Sequence, residues 1–221
     1  VYVFSGTEDD KVYRSVVDAT QDFFVKAGVS KSNLYYENKI PAGHAFIAPG
    51  FGNPCAANAA PYIDQCQLEQ GNYDQPLAVL QHIYGPLKPA ARTLSSAPQT
   101  FNQKAFASEM SGMDEEGYVY IPKMCASDSR NCAVHVVFHG CKQGAKVVGN
   151  DVYEKLGYNN WADTNNLIVL YPQISATSVP FNPDGCWDWW GFSGLNFQVR
   201  SGSQLAAVKA MVDRLTTPDH K

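Results

Sequence analysis

The stretch Ala133-Val134-His135-Val136-Val137-Phe138-His139-Gly140-Cys141 decides how this chain is read. Residues 133–139 form a near-continuous apolar run, the pattern of a buried central strand, and they run straight into a glycine turn. A second such run, Leu167-Ile168-Val169-Leu170, lies within 166–171. Between them, residues 151–164 have helical spacing with Trp161 on the inner face. Working outward, 117–122 alternate as a strand, and 202–215 form an amphipathic helix with Leu205, Val208, Met211, Val212 and Leu215 on one side. Toward the start, 1–4 and 33–38 read as strands on either side of a helix over 12–27, whose C-cap is Gly28. Residues 76–84 suit a short helix with Ala78, Val79, Leu80 and Ile83 facing inward. Strands alternating with helices, two of them apolar throughout, argue for a mostly parallel α/β sheet. A single domain is expected, with halves 1–85 and 101–221 joined by the proline- and serine-rich segment 86–100.

The hydrophobic fraction of 45% and charged fraction of 17% are those of an ordinary folded protein. A net charge of −4 without any basic cluster gives no electrostatic case for nucleic acid or an anionic membrane surface. No apolar run approaches the roughly 20 residues that span a bilayer, so no membrane partner is expected. The first residues, Val1-Tyr2-Val3-Phe4, are already a strand and resemble no signal peptide. They read as a cut, with further polypeptide expected upstream or in another chain.

Six cysteines are expected to pair as Cys55–Cys66, Cys125–Cys132 and Cys141–Cys186. The first two pairs bracket short loops, and 48–73, rich in Gly, Pro, Asn and Ala, reads as one disulfide-pinned loop. Six cysteines admit many connectivities, but an even count in loops favours an oxidising compartment. The spacings match no zinc site.

Three loops at strand ends carry residue types suited to chemistry, and functional groups in parallel α/β folds collect there. The first is Gly6-Thr7-Glu8-Asp9-Asp10, which serves equally well as an acidic helix N-cap. The second is Pro41-Ala42-Gly43-His44, where glycine lets the backbone turn and present an imidazole whose ordinary pKa suits a general base. A lone loop histidine is usually a surface residue, but an acid then a histidine on consecutive strand-end loops fits the second and third members of a hydrolase triad. The third is His139-Gly140-Cys141, where a backbone N–H could face developing negative charge, or where glycine simply makes a tight turn beside a disulfide. Trp187, Trp189 and Trp190 fall within four residues and are equally consistent with core packing or with the wall of an apolar cleft. No nucleophile elbow is present. Gly191-Phe192-Ser193-Gly194-Leu195 comes nearest but ends in leucine and follows no strand, Ser5 and Ser111 fit no better, and Cys141 has an expected disulfide partner.

Four segments taken together resemble the poly(3-hydroxybutyrate) depolymerase family, in particular its circularly permuted fungal-type members of the α/β-hydrolase fold. They are Phe4-Ser5-Gly6-Thr7-Glu8-Asp9, Ile40-Pro41-Ala42-Gly43-His44-Ala45-Phe46, Val136-Val137-Phe138-His139-Gly140-Cys141-Lys142-Gln143, and Asn182-Pro183-Asp184-Gly185-Cys186-Trp187-Asp188-Trp189-Trp190-Gly191. The resemblance runs from residue 1 to about residue 215. It implies that Asp9 is the triad acid and His44 the base, that the Cys141 N–H is an oxyanion donor, and that Trp189 or Trp190 lines a polymer crevice. It implies a secreted esterase acting through an acyl-enzyme on a hydrophobic polyester or oligomeric ester, with no metal or cofactor. The family's serine elbow would precede residue 1, so the nucleophile is expected outside this chain, a second polypeptide being one source of it. Asp9, His44 and the Cys141 amide are expected to meet in one cleft. The competing expectations are a non-catalytic polymer- or glycan-binding protein on the same scaffold, and an esterase for another ester met outside the cell.

Overall fold

The computed structural model describes residues 1–217. The chain divides into two compact units, one of residues 1–87 with 155–157 and the other of 88–154 with 158–221.

The first unit opens with strand β1 (Tyr2–Phe4), helix α1 (Arg14–Lys26) and strand β2 (Tyr35–Glu37). The two strands pair in parallel, Tyr2 opposite Tyr35 and Phe4 opposite Glu37, with α1 as the connection such a pair requires. α1 stops as its sequence dictates. Gly28 takes φ +87°, its N–H bonds the Val25 carbonyl, and the Val29 N–H bonds that of Phe24, a Schellman closure. No residue of α1 is fully buried, and Val16, Phe23 and Val25 stay exposed.

Residues 48–73 are not one loop. Strands β3 (Phe46–Ile47), β4 (Asn53–Pro54) and β5 (Ile63–Gln65) form a parallel sheet in the order β3-β5-β4, and β6 (Gln67–Leu68) pairs antiparallel with β7 (Gly71–Asn72). Strands of two or three residues are too short to show a period in sequence. The Cys55–Cys66 bond lies across this region, and buried Ile47, Cys66, Ile40 and Ala42 make its small core. Helix α2 (Gln75–Tyr84) is capped by Asp74, whose side chain accepts the Leu77 N–H at 2.9 Å. It buries Leu80, but Ile83 faces out.

The second unit holds strands β8 (Gln99–Asn102) and β9 (Glu116–Tyr120), helix α3 (Lys123–Ser127), strand β10 (Ala133–Val136), helices α4 (Ala145–Val148), α5 (Asp151–Lys155) and α6 (Tyr158–Thr164), strand β11 (Leu167–Tyr171) and helix α7 (Ser203–Thr216). Its sheet runs β10-β11-β9-β8, with only β10 and β11 parallel. That pair is joined through helices, whereas β8 and β9 are joined by a short irregular segment that permits an antiparallel turn. The sheet is therefore mixed within an α/β unit. β11 is buried along its whole length, but β10 ends the strand order and is half-buried, because only one side of it has a strand partner among the described residues. The helix expected over 151–164 is two, α5 and α6, separated at Gly157, whose φ of +97° no helix allows.

Ile168, Leu170, Val119 and Met113 pack with Ala207 and Met211 of α7 to form the main core. The buried stripe of α7 is Gln204, Ala207 and Met211, so Leu205 is half exposed. The segment before β8 is tied down. Lys88 N–H donates to the Asn165 side chain, Ala91 N–H to the Asn160 carbonyl, and Thr164 Oγ1 to the Pro89 carbonyl.

Buried imidazoles give this unit a pH dependence. Burial pushes His135 of β10, stacked on Tyr158 at 5.5 Å, down to about 4, and lowers His139 as well. An imidazole with a depressed folded pKa is neutral in the native state while the unfolded chain still takes up a proton near 6.5. The stability held at neutral pH is therefore lost as pH falls from about 6.5 toward 4. His135 alone accounts for up to about 3 kcal/mol of that loss. In melting curves at pH 7 and 4.5, His135→Phe, which keeps a ring against Tyr158, should lose less Tm on acidification than the parent. An equal loss in both would assign the acid sensitivity elsewhere.

Candidate active site

The acid loop leaves β1 and runs directly beside the histidine loop. Thr7 N–H bonds the Ile40 carbonyl at 2.9 Å and Glu8 N–H the Ala42 carbonyl at 3.0 Å. This approach requires glycine at two points. A Cβ on Gly6 would sit 2.0 Å from the Ala42 carbonyl oxygen, and one on Gly43 would sit 2.0 Å from that of Ala57.

Asp9 Oδ2 lies 3.0 Å from His44 Nδ1. Its other oxygen accepts the N–H groups of Lys11 and Val12, each at 2.9 Å, so the carboxylate is oriented from behind. A carboxylate can only accept, so the His44 proton sits on Nδ1 and Nε2 keeps its lone pair for proton abstraction. The Asp9 side chain is 11% exposed and the His44 side chain 43%, which leaves the base accessible. Asp10, by contrast, is exposed and paired with Lys11 at 3.1 Å. The Tyr62 ring meets His44 edge-on at 6.2 Å.

In the other unit, the loop after β10 is braced at almost every group. The buried His139 ring uses both nitrogens, Nδ1 toward the Gly140 carbonyl at 2.7 Å and Nε2 accepting the Ile174 N–H at 3.0 Å. It is thereby a structural strut and has no nitrogen left for proton transfer. Trp187 Nε1 donates to the His139 carbonyl at 3.0 Å, and Gly140 N–H donates to Gln143 Oε1 at 2.7 Å. The Cys141–Cys186 bond and the Lys142 N–H to Asp184 carbonyl bond at 2.7 Å anchor the loop to residues 184–186. Amid this bracing, the Cys141 N–H donates to no group among the described residues. The remaining disulfides are Cys55–Cys66 and Cys125–Cys132, and no free cysteine remains among the described residues.

Two of the three serines weighed from sequence have hydroxyls engaged elsewhere. Ser193 Oγ donates to Asp188 at 2.7 Å and Ser111 Oγ to the Ser108 carbonyl at 2.6 Å. The hydroxyl of the third, Ser5, is buried without a hydrogen-bond partner among the described residues.

No protein-family model matches the chain. A poly(3-hydroxybutyrate) depolymerase of Delftia acidovorans is 41% identical over 222 residues, covering 98% of this chain and 42% of the relative. A polyhydroxybutyrate depolymerase of Talaromyces funiculosus is 35% identical over 234 residues, covering 98% of this chain and 66% of the relative. The crystal structure of the PHB depolymerase of Penicillium funiculosum is 34% identical and matches with a TM-score of 0.84, covering 97% of this chain and 70% of that one. The chain belongs to the poly(3-hydroxybutyrate) depolymerase family. A solved serine-to-alanine form of a PHB depolymerase, complexed with R3HB trimer, matches at 33% identity with a TM-score of 0.87 and the same coverage. The fold of this depolymerase-family chain is thus the α/β-hydrolase fold. The chain spans less than half of one curated relative and about two thirds of the other.

Of the three tryptophans of the depolymerase-family chain, Trp187 packs against the core and also lines a cleft, Trp189 lines the same cleft, and Trp190 is not among the residues that line it. Trp187 turns inward, edge-on to Phe138 at 4.8 Å and packed against the main core. Trp189 is 73% exposed and Trp190 40%. A cleft of about 760 Å³ is lined by Phe138, Trp187, Trp189, Leu205 and Val208. The loop holds its shape around Asp188, whose carboxylate accepts the N–H groups of Trp190, Gly191, Phe192 and Ser193. Burial alone would raise the Asp188 carboxyl, but hydrogen bonds from Ser193, Gly191 and Phe192 outweigh it and hold the group below its ordinary range.

One group escaped the sequence reading altogether. Asn58 touches both the acid loop and the histidine loop. A lone asparagine in Ala56-Ala57-Asn58-Ala59-Ala60 carries no motif that announces such a contact.

Proposed function

We propose that this chain is the acid, base and oxyanion portion of a serine-type esterase that hydrolyses poly(3-hydroxybutyrate) or a related hydroxyalkanoate polyester. The observation that carries the reading is the Asp9–His44 hydrogen bond, made on consecutive strand-end loops with Nε2 left free. In this reaction His44 Nε2 takes the proton of a serine hydroxyl as its oxygen attacks the ester carbonyl. Asp9 holds the imidazole in the required tautomer and stabilises its charged form. The Cys141 N–H receives the oxyanion of the tetrahedral intermediate. His44 then protonates the departing alkoxide, and water attacks the acyl-enzyme by the same route in reverse. Trp189 and Trp190 supply apolar surface to the polymer chain.

The serine is contributed by polypeptide outside these 221 residues, on a strand that pairs with the open side of β10, in the connection order of a circularly permuted hydrolase. Two observations support this. No serine hydroxyl among the described residues bonds His44, and β10 ends the strand order beside the Cys141 loop. Three disulfides favour an oxidising, extracellular setting. No helix among the described residues is long and apolar enough to cross a membrane.

The test is release of soluble 3-hydroxybutyrate oligomers from a poly(3-hydroxybutyrate) film by the whole protein, with a short aryl ester in parallel. Turnover of the film supports the polyester reading. Turnover of the aryl ester alone would move the substrate to another ester, and adsorption to the film without any hydrolysis would make this a binding protein.

A further inference from the structure

We propose that Asn58 is the positioning residue that sets the acid loop in register with the histidine loop, an inference that rests on the esterase reading above. Its side-chain amide is used at both ends. Asn58 Oδ1 accepts the His44 N–H at 2.8 Å and the Asp10 N–H at 3.1 Å. Asn58 Nδ2 donates to the Glu8 carbonyl at 2.8 Å and to that of Ala56 at 3.3 Å. Asn58 therefore grips the main chain on both sides of Asp9, at Glu8 and at Asp10, and grips the main chain of the base itself. Only a planar group with a donor and an acceptor can satisfy a carbonyl on one side and two N–H groups on the other, which is what an asparagine amide offers.

The loop that carries Asn58 is itself held. The Cys55–Cys66 bond pins its first residue, and the Cys55 carbonyl accepts the Gly43 N–H at 2.8 Å. Ala57 N–H bonds Pro54, Tyr62 N–H bonds Ala59, and the Asn53 side chain bonds the Ala59 carbonyl at 3.1 Å. The same loop ends in Tyr62, whose ring stands against the His44 imidazole. A clamp on the backbone beside a reacting pair acts through distance, since small displacements of a positioned base cost rate without altering substrate affinity.

The experiment compares the whole protein with Asn58→Ala and Asn58→Asp, by kinetics on a soluble aryl butyrate and by the low-field proton resonance of the Asp9-bonded His44 Nδ1–H. Asn58→Ala should lower kcat about 10- to 100-fold with KM unchanged within about twofold, and should broaden or abolish the His44 resonance at temperatures where circular dichroism shows a folded chain. Asn58→Asp keeps the acceptor for the His44 and Asp10 N–H groups, so it should retain the resonance and recover part of the rate. A wild-type kcat and resonance in Asn58→Ala would overturn the assignment. If Asn58→Ala does not fold, Asn58→Asp decides alone, since a folded protein without the resonance overturns the clamp and one with it supports it. Absence of ester hydrolysis by the parent protein would sink the esterase reading instead, while the resonance in the variants still tests the clamp.

Discussion

Replacing His44 with alanine should lower kcat on a hydroxybutyrate oligomer about 10³- to 10⁴-fold in the whole protein, with KM little changed. The imidazole is the only side chain on these two loops that both pairs with an oriented carboxylate and keeps a free, accessible nitrogen. Without it, the attacking hydroxyl has no base and the leaving alkoxide no acid, and the remaining rate comes from binding and oxyanion stabilisation. Asp9→Asn should be comparably severe. An amide at that position offers an N–H to His44 as readily as an oxygen, so the tautomer with the lone pair on Nε2 is no longer enforced. Asp10→Asn should be mild, because among the described residues the Asp10 carboxylate meets only Lys11 at the exposed surface while its backbone N–H makes the useful bond. Steady-state kinetics on the three variants read this directly. A severe Asp10 variant beside a mild Asp9 variant would mean that the loop presents the other acid.

The second large effect is on stability. Asp64, on β5, is fully buried, and neither carboxylate oxygen has a hydrogen-bond partner among the described residues. Burial pushes its carboxyl up to about 7, with the nearby Asn53 amide offsetting only part of the cost. The folded protein thus holds a proton there that the unfolded chain releases near 3.8. Stability attributable to this group therefore falls as pH rises through the window from about 3.8 to about 7, and the full penalty applies above it. A shift of that size corresponds to about 4 kcal/mol as an upper figure. Asp64→Asn keeps the shape and removes the charge, so it should raise Tm at pH 8 and bring little change at pH 4. A variant that melts lower than the parent at pH 8 would show that the carboxylate is stabilised in a way the burial does not reveal.

These two pH dependences oppose each other. The Asp64 window, from about 3.8 to about 7, contains the His135 window, from about 6.5 down to about 4. Over the shared range the two contributions offset each other, so each variant should show a steeper pH dependence than the parent.

What could be read from sequence follows from which signals survive in one dimension. β11 announces itself because five consecutive apolar residues have no other use, and α1 closes at Gly28 because only glycine accepts that φ without cost. The short strands within 46–72 stay hidden, since two residues cannot display alternation. Periodicity points Ile83 and Leu205 inward, but it reports a stripe and not which elements come to cover it, and both are exposed. At the site, Asp9 and His44 were legible because their order and strand-end positions match a known arrangement. The strut role of His139 was not, because both of its nitrogens are engaged by main-chain groups that no pattern in the chain marks. Asn58 was invisible for the same reason, since its partners are the backbone of Glu8, Asp10 and His44, fourteen to fifty residues away.

The most direct measurement is the rate at which a fluorophosphonate labels the whole protein and its His44→Ala form. If His44, held by Asp9, is the base for a serine nucleophile, a single serine should be labelled in the parent, and the variant should be labelled at least about 100-fold more slowly. Equal labelling of both proteins, or no labelled serine in a parent that still hydrolyses the polyester, would contradict it.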